Sequence, residues 1–148
     1  MSSKQSQKGS RFEYLVRDKL SKKTGTSWER VPASGAGTLK GDLYCPTNHY
    51  YYCFECKSYK DGVIQENLLS AKSNNLYAWW EQTTAQAEAM NRKPALVFKK
   101  DRGKHLILVE EYHEEINSIC LEAFGVVGFI YLFDEWLDIK DREELILV

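Results

Sequence analysis

Residues Tyr50 to Lys57, reading YYYCFECK, constrain this chain more than any other stretch. Three tyrosines, a cysteine and a phenylalanine in succession favour extended backbone, because aromatic side chains fit a pleated, half-buried surface. The run ends in Glu55-Cys56-Lys57. Strand side chains alternate, so Glu55 and Lys57 share one face while Phe54 and Cys56 share the other. One face is committed to core and the other ends in charge. Leu39 to Cys45 also reads as a strand, and Pro46 to His49 as the turn between the two, which makes the pair an antiparallel hairpin. The hairpin brings Asp42 of the Gly41-Asp42 pair near Glu55 without any long-range assumption.

Two carboxylates from adjacent strands offer hard oxygen ligands to Mg2+, an ion that keeps positions for water and for a phosphate oxygen. A lysine beside them can position or deprotonate a water, or offset charge that builds on phosphorus. Both tasks need the same residue type in the same place, so the role of Lys57 stays open between them. Asp42, Glu55 and Lys57 are therefore candidate metal ligand, metal ligand and water-positioning cation. An acid-x-lysine pair alone does not discriminate, since exposed strand faces alternate charges to stay hydrated. A charged pair that ends an apolar strand is harder to explain that way.

At 148 residues the chain is expected to form one domain with a sizeable core. With 43% hydrophobic and 28% charged residues it is neither disordered nor collagen-like. The formal charge of -1 gives no whole-molecule field of the kind that attracts nucleic acid, but the distribution is polarised. Through Lys40 the chain carries Lys4, Lys8, Arg11, Arg17, Lys19, Lys22, Lys23, Arg30 and Lys40 against Glu13, Asp18 and Glu29. Residues 110–122 and 134–144 are dominated by Glu and Asp. Such a basic front attracts phosphates and releases counterions, although lysines on a helix are often no more than a solvated face.

Neither a long apolar stretch nor a signal-peptide pattern is present, so no membrane association is expected, and the expected location is the cytoplasm. The cysteines would then be reduced. Cys45, His49, Cys53 and Cys56 have zinc-like spacing, but strand alternation turns Cys53 and Cys56 to opposite sides and no turn residue lies between them. Buried small hydrophobes are the favoured alternative.

Phe12, Leu15, Val16 and Leu20 recur at helical spacing and predict a helix from Gly9 to about Lys23, with Ser10 as cap and Glu13 as its capping-box partner. Residues 1–9 are expected to be a flexible segment. Trp28 to Val31 predicts a short strand, followed by the glycine-rich loop Pro32 to Gly37. Residues 63–75 predict an irregular segment or short helix, and Leu76 to Met90 a helix with Tyr77, Trp80 and Thr84 along one side. Pro94 to Lys99 and His105 to Glu110 predict a second hairpin around Asp101 to Lys104. A helix over Glu111 to Phe124, a strand over Val126 to Phe133 and an acidic tail with Trp136 complete the order. The whole is an α/β sandwich on a mixed sheet.

Lys8-Gly9, Phe12-Glu13, Arg30-x-Pro32-x-Ser34-Gly35, Gly41-Asp42 and Glu55-Cys56-Lys57-Ser58 occur in an order and at spacings that together resemble the PD-(D/E)xK nuclease superfamily. The narrower resemblance is to the archaeal-type Holliday junction resolvases and their phage relatives, over roughly residues 8–110. It implies a restriction-endonuclease-like mixed β-sheet flanked by helices: a single nuclease domain over 10–148, with core 10–110 and an extra C-terminal helix and strand over 111–148. It adds Glu13 to Asp42 and Glu55 as a metal ligand and places Ser34 and Arg30 at the scissile phosphate; Lys8, Arg11 and Lys40 of the basic front are candidate DNA contacts. It also offers Gln82 or Gln86 a place near the metal, with Gln86 preferred. Gly41 stands where relatives usually carry proline, a change expected to affect only backbone stiffness.

The implied activity is a Mg2+-dependent endonuclease, with Mn2+ the other ion considered, that resolves four-way DNA junctions as a homodimer without a small-molecule cofactor. Aromatic residues Phe129, Tyr131, Phe133 and Trp136 are candidates for the dimer face, or else for core packing. The same ligands also fit a nuclease acting on flaps, ends or duplex DNA. A non-catalytic DNA-binding module is the third alternative, since a fold does not by itself fix an activity.

Overall fold

The computed structural model describes residues 4–32 and 38–148. Helix α1 spans Lys4–Thr24, so it begins well before Gly9 and places Ser10 in its interior. The expected Ser10 cap and its Glu13 partner are thereby excluded, because an N-cap must sit outside the helical turns. Phe12, Val16 and Leu20 form the buried stripe, while Leu15 is turned outward. The helix ends at Gly25 with φ of +73°, and Lys22 and Lys23 in its last turn complement the helix dipole.

The strands are β1 (Glu29–Arg30), β2 (Leu43–Tyr44), β3 (Tyr52–Tyr59), β4 (Lys93–Lys100), β5 (Leu106–Val109), β6 (Ile119–Ala123) and β7 (Val126–Leu132). They form one sheet in the order β1-β2-β3-β4-β5-β7-β6. Within it β3 and β4 run parallel, with Glu55 opposite Leu96 and Lys57 opposite Phe98. A parallel pair needs a crossover, and α2 (Asn67–Ser70) with α3 (Asn75–Ala89) supplies it. Asn74 caps α3 by accepting from Leu76 N at 2.9 Å. Strand β4 is an unbroken apolar run, Ala95 to Phe98, because both of its faces are covered.

Two cores follow from the alternation along β3. Phe54 and Cys56 join Phe12, Val16 and Leu20 under α1. Leu96 and Phe98, the partners of Glu55 and Lys57, join Tyr77 and Trp80 under α3. On α3 it is Thr83, not Thr84, that is buried beside Trp80.

The C-terminal third differs from expectation. Residues 110–118 are irregular and residues 119–132 are a β-hairpin, where a helix was expected over Glu111 to Phe124. Phe124 and Gly125 turn the hairpin with φ of +53° and +78°, the paired positive φ of a tight hairpin turn. The irregular segment is pinned by Tyr131, whose hydroxyl accepts from His113 N at 2.7 Å and donates to Glu111 O at 3.1 Å. The strand expected over Val126 to Phe133 is present as β7, and the acidic tail after it forms α4 (Phe133–Ile139) and α5 (Arg142–Leu145). The C-terminal elements here are thus two strands and two short helices.

Tyr131, Phe133 and Trp136 are fully buried and Phe129 is half-buried, all packed in the α1-side core. They do not form an exposed dimer face. Trp136 meets Tyr52 edge-on and stacks on Phe133. Ile146 bridges to Tyr50, which ties the end of the chain to the start of β3. Among the described residues no helix is long and apolar enough to cross a membrane.

Candidate active site

Asp42 reaches β3 through a backbone conformation that Gly41 makes available. Gly41 has φ of +81°, and a Cβ there would lie 2.8 Å from both Cys53 Sγ and Phe54 O. Proline is confined to φ near -65°, so this glycine is required by geometry and does more than alter stiffness. Asp42 N then donates to Phe54 O at 2.8 Å, and Asp42 O accepts from Val31 N at 2.9 Å. The carboxylate accepts from Cys56 N at 2.7 Å, taking the place that a ladder carbonyl would hold. Asp42 is fixed at backbone and side chain alike.

Glu55 is buried, at 4% exposure. Its Oε1 lies 3.5 Å from Lys57 Nζ, while its Oε2 is buried with no hydrogen-bond partner among the described residues. Burial raises its pKa well above the usual carboxylate range, and the charge of Asp42 adds to this against the pull of Lys57. Burial likewise raises Asp42, with the Cys56 N–H and Lys57 opposing. Asp42 therefore opposes ionisation of Glu55, while the hydrogen bond from the Glu55 carboxyl favours the charged form of Asp42.

Glu13 sits at the border of this cluster. Its side chain accepts from Arg30 Nε at 2.5 Å, and Arg30 also donates to the Tyr14 hydroxyl at 3.3 Å and lies over the Tyr14 ring. Burial and then the charge of Asp42 raise Glu13, while Arg30 and Lys57 lower it. Glu13 is thus engaged by Arg30 rather than completing a three-carboxylate cage. Among the described residues no group of three or more His, Cys, Asp and Glu side chains is assembled to hold a metal, which also removes the Cys45, His49, Cys53 and Cys56 zinc set. Cys45, Cys53 and Cys56 are buried.

The residues present nevertheless fit a divalent cation. Asp42 and Glu55 share a hydrogen bond, burial penalises their charge, and among the described residues no donor is directed at the buried Glu55 Oε2. Glu13 would have to leave Arg30 to add a third oxygen.

Of the other expected contacts, Lys8 pairs with Asp101 at 2.7 Å, Arg11 and Lys40 are exposed, and Ser34 lies outside the described residues. Gln82 is exposed, whereas Gln86 Oε1 is buried without a partner among the described residues. Two features escaped the sequence. One is Tyr14, which shares Arg30 with Glu13, a contact made only when α1 meets β1. The other is the Cys56 N–H, which orients Asp42 and which no side-chain motif reveals.

The sheet, the carboxylate pair and the neighbouring lysine define a site of the PD-(D/E)xK nuclease class. The chain belongs to the family described as "Phage putative PDDEXK endonuclease", which it matches over residues 4–135. It is 42% identical to Protein D14 of Escherichia phage T5 over 153 aligned positions, covering 95% of this chain and 96% of that protein. No solved structure matches it.

Proposed function

We propose that this chain is a divalent-metal-dependent endodeoxyribonuclease acting on branched DNA, with four-way junctions as its substrate. The observation that carries the nuclease reading is the half-buried Asp42 paired with the buried Glu55, with Lys57 Nζ 3.5 Å from Glu55. Asp42 and Glu55 would hold Mg2+ or Mn2+, joined by Glu13. When bound, such an ion neutralises the crowded carboxylates, polarises a phosphate oxygen and acidifies its water. Asp42 needs no reorganisation, because Cys56 N and the backbone of Phe54 already hold it. Lys57 holds a water or a phosphate oxygen beside Glu55 as charge develops. Arg30, released when Glu13 turns to the cation, offers a planar fork of donors to the phosphate.

Junction choice is supported by the resemblance of residues 8–110 to junction resolvases. It calls for a second copy of the chain, since paired symmetric nicks need two sites related by a two-fold axis. The broader family description favours a second reading, an endonuclease acting on flaps, ends or duplex.

An immobile labelled four-way junction is compared with its linear arms in Mg2+ and in EDTA. Paired nicks on the junction alone, absent in EDTA, are expected. Equal cutting of the arms assigns the broader activity, and tight binding without cutting in either Mg2+ or Mn2+ overturns the enzymatic reading.

A further inference from the structure

A groove of about 740 Å³ lies between the first turns of α1 and the ends of β3 and β4. Its rim carries Lys8, Arg11, Lys99 and Arg102 against one acid, Asp101. Among the described residues Arg11, Lys99 and Arg102 make no salt bridge, and Lys8 with Asp101 is the pair that closes it. Phe12 and Leu15 give it an apolar wall.

The groove follows the carboxylate site along the chain, and the alternation of β3 turns Ser58 to the α1 face of the sheet, opposite Lys57. Ser58 in its wall follows Lys57, and Phe12 precedes Glu13. In the parallel register Ser58 lies opposite Lys99, one step beyond Lys57 opposite Phe98. Along α1, Lys8 to Leu15 spans about 10 Å, the axial length of about three phosphates of one DNA strand.

We propose that this groove holds sugar-phosphate backbone of the bound DNA away from the cut, with Lys99 and Arg102 as phosphate contacts and Asp101 as a brake on affinity. This rests on the nuclease reading and extends it beyond the reacting phosphate. Cations without acid partners gain from phosphate contact through counterion release, while the Asp101 carboxylate both occupies Lys8 and repels phosphate. Four cations and a narrow apolar wall suit a strand read by its backbone, with no base-edge donors required.

The test uses Lys99→Gln with Arg102→Asn in one variant, asparagine being chosen because Arg102 has φ of +61° and asparagine tolerates it. Binding of a fluorescent duplex is measured in EDTA across a salt series, and hydrolysis of thymidine 5′-(p-nitrophenyl phosphate), a small diester with no flanking strand, is measured in Mn2+. The double variant is expected to bind duplex about tenfold more weakly, with a salt slope reduced by about 2, and to hydrolyse the small diester at the native rate. Asp101→Asn is expected to move binding the other way, tighter and with a steeper slope. Duplex affinity and slope unchanged in both variants overturn the groove assignment alone. A native protein that neither binds duplex nor hydrolyses the diester overturns the nuclease reading beneath it.

Discussion

Burial and the facing carboxyl of Asp42 both oppose ionisation of Glu55, and this makes the site a source of instability that depends on pH. Below the ordinary carboxylate value near 4.5 both folded and unfolded states carry the proton and no penalty arises. As pH rises through that value the unfolded chain ionises first, and native stability falls until the folded group also ionises. In EDTA, Glu55→Gln is therefore expected to leave the melting temperature unchanged at pH 4 and to raise it at pH 8, by on the order of 2 kcal/mol or about 4 to 8 °C. Thermal melts at the two pH values check this, and equal shifts at both would contradict it. Gly41 gives a second residue-scale expectation. Gly41→Ala forces a Cβ to 2.8 Å from Phe54 O at a positive φ, and should cost at least about 2 kcal/mol in urea denaturation. A smaller cost would mean that Asp42 can be delivered by another backbone path.

At the scale of elements, the antiparallel approach of Leu43 to Phe54 was legible because it is local, although the strand expected over Leu39 to Cys45 is only Leu43–Tyr44 and Asp42 precedes it. Most of the rest depended on distant partners. The start of α1 at Lys4 was hidden because the polar run before Gly9 shows no apolar stripe. Residues 110–118 carry enough glutamates to mimic a helix, yet Tyr131 holds them irregular from the far side of a hairpin turned by Phe124-Gly125. A two-residue turn between β-branched, alternating segments was the signal available there. The aromatic residues after Val126 spoke for burial but not for its location. Trp136→Ala is accordingly expected to cost about 3 to 5 kcal/mol, because its ring is closed in by Tyr52, Phe54 and Phe133. Val127→Thr, on the exposed side of the same hairpin, should stay within about 0.5 kcal/mol. Chemical denaturation of the two variants separates a tail that completes the core from one merely appended to it.

Across the whole molecule, the near-neutral total charge conceals a basic α1 side and an acidic C-terminal third, and the carboxylate cluster sits where α1 meets the sheet edge. Elements far apart in sequence supply its parts: Glu13 from α1, Arg30 from β1, Asp42 before β2, and Glu55 and Lys57 from β3. The motif residues could be picked out one by one, but the pairing of Glu13 with Arg30 belongs to the assembled fold. The activity proposed for these residues is cutting of DNA with a divalent metal, with Lys57 taking part. Its most direct measurement is the rate of nicking of supercoiled plasmid in Mg2+ by the native chain and by Lys57→Ala, with EDTA as the metal-free arm. The expected result is nicking by the native chain that stops in EDTA and falls by about 100-fold or more in the variant, with the fold intact by circular dichroism. Nicking that persists in EDTA, or that is undiminished in Lys57→Ala, would contradict the assignment of this site.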